Sequence, residues 1–310
     1  MNQEVTELSR EGRPVVYGEV LFDSFPDGAT VLGGAPFNVA WHLQGFGQRP
    51  LLISSVGRDS RGDTVLQTMS DWGMDTQGVQ IDSTHPTGAV NVSLSNGQPT
   101  FNIVPEQAYD FIGSNHVRNI IDQTRVSLLY HGSLAARSKT SHDALLLLRA
   151  ATKKPVFVDI NLRTPWWDST ITDELIKQAN WLKLNDVELI TLTADDNNLQ
   201  ALQHAASIIF KRYQLELMIV TCGEKGGFII SKDGVVEGQP FPVKKVIDTV
   251  GAGDAFSSVM LLGLLEGWPL ADVLQRALQF ASMICGVRGA IIRDKALYQQ
   301  MLNQWRQSNE

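Results

Sequence analysis

Asp248-Thr249-Val250-Gly251-Ala252-Gly253-Asp254-Ala255-Phe256 reads as a glycine turn that opens a helix. The run from Ala255 to Glu266 is apolar and free of Pro, which predicts a buried helix. Gly251, Ala252 and Gly253 carry little or no side chain, so a ligand can approach their backbone N–H groups closely. The first N–H groups of a helix lack intrahelical partners and the helix dipole favours negative charge there, which makes the turn a candidate anion site. Asp254 repels anions, so it is misplaced if the anion is only to be held. It fits a site where a hydroxyl must lose a proton beside a phosphate. The reading is phosphoryl transfer to an alcohol with Asp254 as base. The same residues also allow a plain helix start in which Asp248 or Asp254 merely caps.

Outward from this stretch, apolar runs of strand length alternate with helical patterns. Val15–Phe22, Leu51–Val56, Val126–His131, Val156–Ile160, Trp181–Leu184 and Leu217–Thr221 read as strands. Phe37–Phe46, Thr64–Asp71, Ser141–Ala151, Ile171–Ala179, Val187–Leu192, Leu199–Tyr213 and Leu270–Val287 read as helices. This order predicts an α/β fold, a mostly parallel sheet covered by helices on both faces. Phe228–Ser231 and Val235–Gly238 flank Lys232-Asp233-Gly234 as a hairpin. Two stretches break the rhythm. Ala29–Leu32 is a short strand after the first one, and Gly88–Leu94 and Thr100–Val104 alternate around Ser95-Asn96-Gly97-Gln98. They predict a small β lid of residues 24–32 and 87–104 on a large domain of residues 12–23, 33–86 and 105–310. A flap above the carboxyl ends of parallel strands can keep water from an activated phosphate.

The 310 residues are 43% hydrophobic, enough for a large core. Lys plus Arg number 26 against 33 Asp plus Glu, a net charge of −7, which favours neither nucleic acid nor an anionic membrane. No apolar run reaches the ~18 residues of a membrane span. The first residues, MNQEVTELSREGRP, have no signal-peptide core. Cys222 and Cys285 cannot build a zinc site alone, and a reduced cytoplasmic chain is the simpler expectation. A P-loop, a Gly-x-Gly-x-x-Gly after the first strand and the protein-kinase signatures are all missing.

Polar residues cluster where such a sheet would place its ligand edge. Asp23 ends the first strand and can accept hydrogen bonds from sugar hydroxyls; Gly33-Gly34 is a small-residue turn, and Asn38 sits in the helix after it. Arg163, in Asp159-Ile160-Asn161-Leu162-Arg163, can clamp a polar substrate end or pair with Asp159. Asn185 and Glu188 share a helix face and suit Mg²⁺ through waters, or form a capping box. Thr221, Gly223 and Gly226 lie in another strand-to-glycine turn whose backbone can meet nucleotide phosphates.

These motifs together resemble the ribokinase-like, pfkB-type carbohydrate kinases over essentially the full length. The late match is Asp248–Phe256; the early one is Gly33-Gly34-Ala35-Pro36-Phe37-Asn38-Val39-Ala40 with Val56–Gly62. Asn185–Glu188 and Thr221–Gly227 fall between, in the family's order. Within the family the motifs look fructokinase-like, including Pro86–Val90, Gly97–Phe101, Ala108–Ile112 and Asp159–Arg163. Phe37, where a smaller residue is usual, and Trp166-Trp167 depart from that pattern.

The resemblance implies a three-layer α/β/α ribokinase-like fold and ATP-dependent transfer of the γ-phosphoryl group to a primary sugar hydroxyl, fructose foremost. It implies N–H groups of Gly251, Ala252 and Gly253 at the transferring group and Asp254 taking the proton. A helix N-terminus is expected to depress the Asp254 pKa. Asp23, Gly33, Gly34, Asn38 and Arg163 would hold the sugar, and Asn185, Thr221, Gly223, Gly226, Gly251 and Gly253 the nucleotide. Asn185 and Glu188 would reach Mg²⁺ through water, and a monovalent cation such as K⁺ would sit near Asp248 and Val250. Lid-to-lid homodimerisation is expected too. Other acceptors, such as 2-keto-3-deoxygluconate, ribose, a nucleoside or a sugar phosphate, fit the same motifs. A non-catalytic sugar- or nucleotide-binding regulator is the reading from another class, and intact Asp254 and Gly251–Gly253 argue against it.

Overall fold

The computed structural model describes residues 12–95, 98–193, 198–243 and 245–307. The Asn96-Gly97 turn and the polar start of the chain lie outside them. Strands are β1 (Arg13–Tyr17), β2 (Leu21–Ser24), β3 (Thr30–Gly33), β4 (Leu51–Gly57), β5 (Val79–Asp82), β6 (Gly88–Ser95), β7 (Gln98–Ile103), β8 (Val126–His131), β9 (Val156–Asp159), β10 (Trp181–Asn185), β11 (Leu217–Thr221), β12 (Gly227–Ser231) and β13 (Gly234–Gly238). Helices are α1 (Ala35–Gly45), α2 (Ser60–Trp72), α3 (Ser114–Ile121), α4 (Lys139–Thr152), α5 (Ser169–Lys177), α6 (Asp186–Thr193), α7 (Leu199–Tyr213), α8 (Ala252–Glu266), α9 (Leu270–Ile284) and α10 (Lys295–Gln307).

Nine strands form one sheet in the order β13-β12-β11-β10-β9-β8-β1-β4-β5. It is parallel from β5 to β11, and β12 and β13 add an antiparallel edge. Strands such as Val126–His131 are buried along their whole length, as a sheet covered on both faces requires. One face packs under α1, α8, α9 and α10, and the other under α4, α5 and α7. The strand order reverses at β1, and ligands of open parallel sheets bind at such a switch point.

A second sheet, β3-β2-β6-β7, stands apart from the first. It corrects the reading of Val15–Phe22 as one strand. The chain leaves the main sheet at Gly18 and re-enters pairing at Leu21, in the second sheet. Asp23 therefore belongs to the second sheet, which begins at Leu21, before residue 24. Gly34 explains the local path: a Cβ there would meet the Glu19 carbonyl oxygen at 2.7 Å, and its φ is +107°. The chain can pass this close to the β1–β2 connection only without a side chain. Smaller differences follow from caps. Asp59 accepts from Gly62 N–H, so α2 starts at Ser60, before Thr64, and α9 ends at Ile284, before Val287. β5, α3 and α10 went unread because they are short or polar.

Candidate active site

Helix α8 is buried on all sides from Ala255 to Leu265, so it runs through the protein as a central post. Its N-cap Gly251 has φ +80°, and a Cβ there would collide with Ala290. The turn thus presents backbone, with Asp254 in the first helical turn. It faces a cavity of about 740 Å³ between the main sheet and the lid.

Asn38, from the first turns of α1, donates its Nδ2 to Asp254 Oδ2 at 2.8 Å. Its own Oδ1 is buried without a hydrogen-bond partner. Burial raises the Asp254 pKa to about 6, the Asn38 hydrogen bond opposes the shift, and the nearby Asp159 charge adds to it. The expectation of a depressed pKa is therefore corrected. The side chain is partly open to the cavity but surrounded by protein, and that desolvation outweighs the helix N-terminus.

Asp23, Gly33 and Gly34 line the cavity from the lid side, and Arg163 lines it from the loop after β9. Burial lifts the Asp23 pKa to about 6, against the pull of the Arg163 charge. Asn185, Glu188, Val250, Gly251 and Gly253 line the same cavity. Ala252 does not; its N–H donates to Thr249 O at 3.3 Å. Thr221, Gly223 and Gly226 also lie off the cavity wall, although Thr221 pairs in register with Asn185 at the same sheet edge. Asp248 folds back on its own turn, accepting from Val250 N–H at 3.0 Å and Gly289 N–H at 3.3 Å.

Asn185 and Glu188 form the capping box. Glu188 N–H donates to Asn185 Oδ1 at 2.8 Å, and Asn185 N–H to Glu188 Oε2 at 2.9 Å. Leu162 N–H takes the other carboxylate oxygen at 3.2 Å. Among the described residues no cluster of three or more His, Cys, Asp or Glu is arranged to hold a metal. Asn185 Oδ1 and the Glu188 carboxylate keep free lone pairs beside these hydrogen bonds, a donor set that could hold the waters of a hydrated Mg²⁺.

Sequence reasoning missed two polar residues of the site. Lys183, buried inside β10, donates to Asp159 Oδ1 at 2.6 Å. So Asp159 pairs with Lys183, not with Arg163. Asp159 Oδ2 also accepts from Ser257 of α8 at 2.6 Å and from Tyr130 at 3.1 Å. Burial works against the Lys183 charge, but the carboxylates of Asp159 and Glu188 outweigh it and hold the amine above its ordinary value. A lysine in the apolar run Trp181–Leu184 was the available signal, since a buried amine needs a carboxylate. Glu19, 3% exposed, lines the cavity with Oε2 unpartnered; burial raises its pKa to about 7.

Residues 18–296 match the family model of the pfkB family carbohydrate kinases. The chain belongs to this family. As a pfkB carbohydrate kinase it is a phosphotransferase acting on a sugar. It is 30% identical over 297 residues to fructokinase-2 of Oryza sativa subsp. japonica, covering 88% of this chain and 86% of the relative. The fold is ribokinase-like. The fructokinase of Vibrio cholerae O395, solved with fructose, ADP and calcium ion bound, superposes with a TM-score of 0.79 at 24% identity over 95% of this chain and 100% of that one. The ribokinase of Arabidopsis thaliana, complexed with ribose and ATP, gives 0.79 at 21% identity, over 94% and 98%.

Proposed function

We propose that this carbohydrate kinase transfers the γ-phosphoryl group of ATP to a primary hydroxyl of an uncharged sugar, with fructose the leading acceptor. The observation that carries the reading is Asp254, raised in pKa, hydrogen-bonded by Asn38 and set at the glycine turn of α8. Asp254 accepts the hydroxyl proton, the freed oxygen attacks the γ-phosphorus, and the bond to the bridging oxygen breaks to leave ADP. Backbone N–H groups at the head of α8 face the charge on the transferring group. A pKa near 6 makes Asp254 a stronger base than an ordinary carboxylate while leaving it ionised at neutral pH. Mg²⁺ arriving with ATP would neutralise phosphate charge, and Asn185 and Glu188 would hold its waters.

The cavity's charge supports an uncharged acceptor. Glu19, Asp23 and Asp254 line it, whereas the cations among its described lining residues are Arg163 and Lys183. Lys183 is taken by Asp159, which leaves Arg163. A sugar phosphate would face more carboxylates than cations. Fructose in particular is supported by the name of the rice relative. Arg163 keeps 2-keto-3-deoxygluconate among the acceptors to test. We also propose that two copies pair through their lid sheets, whose outer strands β3 and β7 present edges and whose Phe101 is 45% exposed.

The test is ADP release with fructose, ribose, 2-keto-3-deoxygluconate, fructose 6-phosphate and a nucleoside. Fructose is expected to give the highest kcat/KM and fructose 6-phosphate none. Asp254→Asn should fold and lose on the order of 10²-fold or more in kcat. A folded variant keeping a tenth of wild-type kcat removes Asp254 as the base.

A further inference from the structure

We infer that Arg137 is a positioning residue for acceptor binding, tying the exit of the lid to the loop that carries Arg163. The inference rests on the sugar-kinase reading above, which makes the lid side of the cavity the acceptor end. Arg137 ends a short 3₁₀ turn after β8, and its side chain is 7% exposed. Asp110 grips it with both oxygens, from Nε and from Nη2, each at 2.8 Å. Nη2 also donates to the Val104 carbonyl at 2.8 Å and to the Tyr109 hydroxyl at 3.0 Å. Val104 is the first residue after lid strand β7, so the guanidinium holds the point where the lid returns to the main body.

The other face of the same group meets the substrate loop. The guanidinium carbon lies 4.4 Å from the centroid of the Trp166 ring. Trp166 N–H donates to the Arg163 carbonyl at 2.6 Å, and Trp167 N–H to the same oxygen at 3.0 Å. Arg163 and Trp166 thus form one turn, and Arg163 lines the cavity opposite Asp23. A planar fork that pairs with a carboxylate edge-on and stacks on an indole face-on is a task for arginine; lysine offers a point charge and no plane. A buried ion pair is weak evidence for stability but can fix one arrangement. Here that arrangement spans the two segments that frame the acceptor. Arg137 is not on the cavity wall; it acts on that wall through Trp166 and Arg163, and its charge also opposes the burial that raises the pKa of Glu19.

The experiment compares wild type, Arg137→Lys, Arg137→Met, Trp166→Leu, Trp166→Phe and the double variant Arg137→Met/Trp166→Leu. The acceptor is fructose, or whichever member of the panel the wild type turns over best. KM for the acceptor should rise about ten-fold or more in Arg137→Lys, Arg137→Met and Trp166→Leu, with kcat and the KM for ATP within about three-fold of wild type. Trp166→Phe, which keeps a ring, should recover most of the affinity. The double variant should have an acceptor KM no higher than the worse single variant, because both act through one contact. Arg137→Met, which leaves Asp110 buried without its partner, should melt earlier than Trp166→Leu, so a similar rise in acceptor KM at unequal stability separates affinity from folding. If Arg137→Met does not fold, the Trp166 pair carries the test. A Trp166→Leu enzyme with wild-type acceptor KM, or multiplying effects in the double variant, overturns the inference. A wild type that turns over no member of the panel sinks the sugar-kinase reading itself.

Discussion

The proton on Asp254 is decided by a contest between burial, which favours the neutral acid, and the Asn38 hydrogen bond, which favours the carboxylate. The base must be ionised to act, and its pKa is raised. Activity is therefore lost as pH falls through about 6 and is level above it. A kcat/KM profile for the acceptor from pH 5 to 8 should show one limb near that value. Asn38→Ala, which removes an interaction that lowers the pKa, should move the limb upward. A flat profile would assign proton transfer elsewhere. The turn around this residue was legible as a candidate anion site, although the turn alone also allowed a plain helix cap, and only the polar residues at the other strand ends favoured a base. The pKa of Asp254 was not legible. Sequence locates the start of α8, but not how much protein closes over it from α1 and β9.

At the scale of elements, Asp159 joins three of them. Its carboxylate receives Lys183 from β10, Ser257 from α8 and Tyr130 from β8, while it belongs to β9 itself. Helix α8 is thereby bolted to the centre of the sheet one turn below Asp254. Lys183→Met leaves the Asp159 charge buried with only hydroxyl partners and should cost about 3–5 kcal/mol in urea unfolding, as breaking a buried pair does. A loss below about 1 kcal/mol would show that water reaches the carboxylate. The alternation of strands and helices was readable because the strands are continuous apolar runs and helices such as α2 and α8 are closed by glycines, Gly73 and Gly267. The break at Gly18 was not, since Val15 to Phe22 is apolar throughout apart from Gly18 and Glu19. The alternative pairing of Arg163 with Asp159 failed for a related reason: residues four apart in sequence look like neighbours, whereas Asp159 ends β9 and its partner Lys183 stands beside it in the adjacent strand β10.

Across the whole molecule, the cavity concentrates carboxyl groups that folding makes reluctant to ionise. Glu19 rises to about 7, and Asp23 and Asp254 to about 6, each through burial. A raised carboxyl takes up a proton on folding, so its contribution is full below the unfolded pKa and is lost as pH rises through the folded one. Asp59, Asp75 and Asp82 are lowered; burial opposes the shift, but hydrogen bonds to their carboxylates exceed it, so their contribution is lost at acid pH. His42 and His131 work the other way over the same range, because burial lowers them to about 4 and about 3 and their neutral forms stabilise the fold more as pH rises. The carboxyl contribution is therefore isolated by comparison: without ligand, Glu19→Gln should gain unfolding free energy relative to wild type between pH 5.5 and pH 8, by on the order of 1 kcal/mol or more. An unchanged difference between the two proteins would mean that water keeps the Glu19 carboxyl solvated. The large core was legible from length and composition, and the smaller second sheet from two interruptions of the rhythm. What the sequence hid is that β2, read as part of the main sheet, pairs parallel with β6. That pairing has a consequence for engineering. The lid is written in two distant passages of the chain, Leu21–Gly33 and Gly88–Ile103, and its middle seam joins one to the other. Transplanting either passage alone from another kinase would mate foreign and native backbone along that seam. A change of acceptor by grafting must move both passages together, while α8 and the sheet beneath it can stay in place.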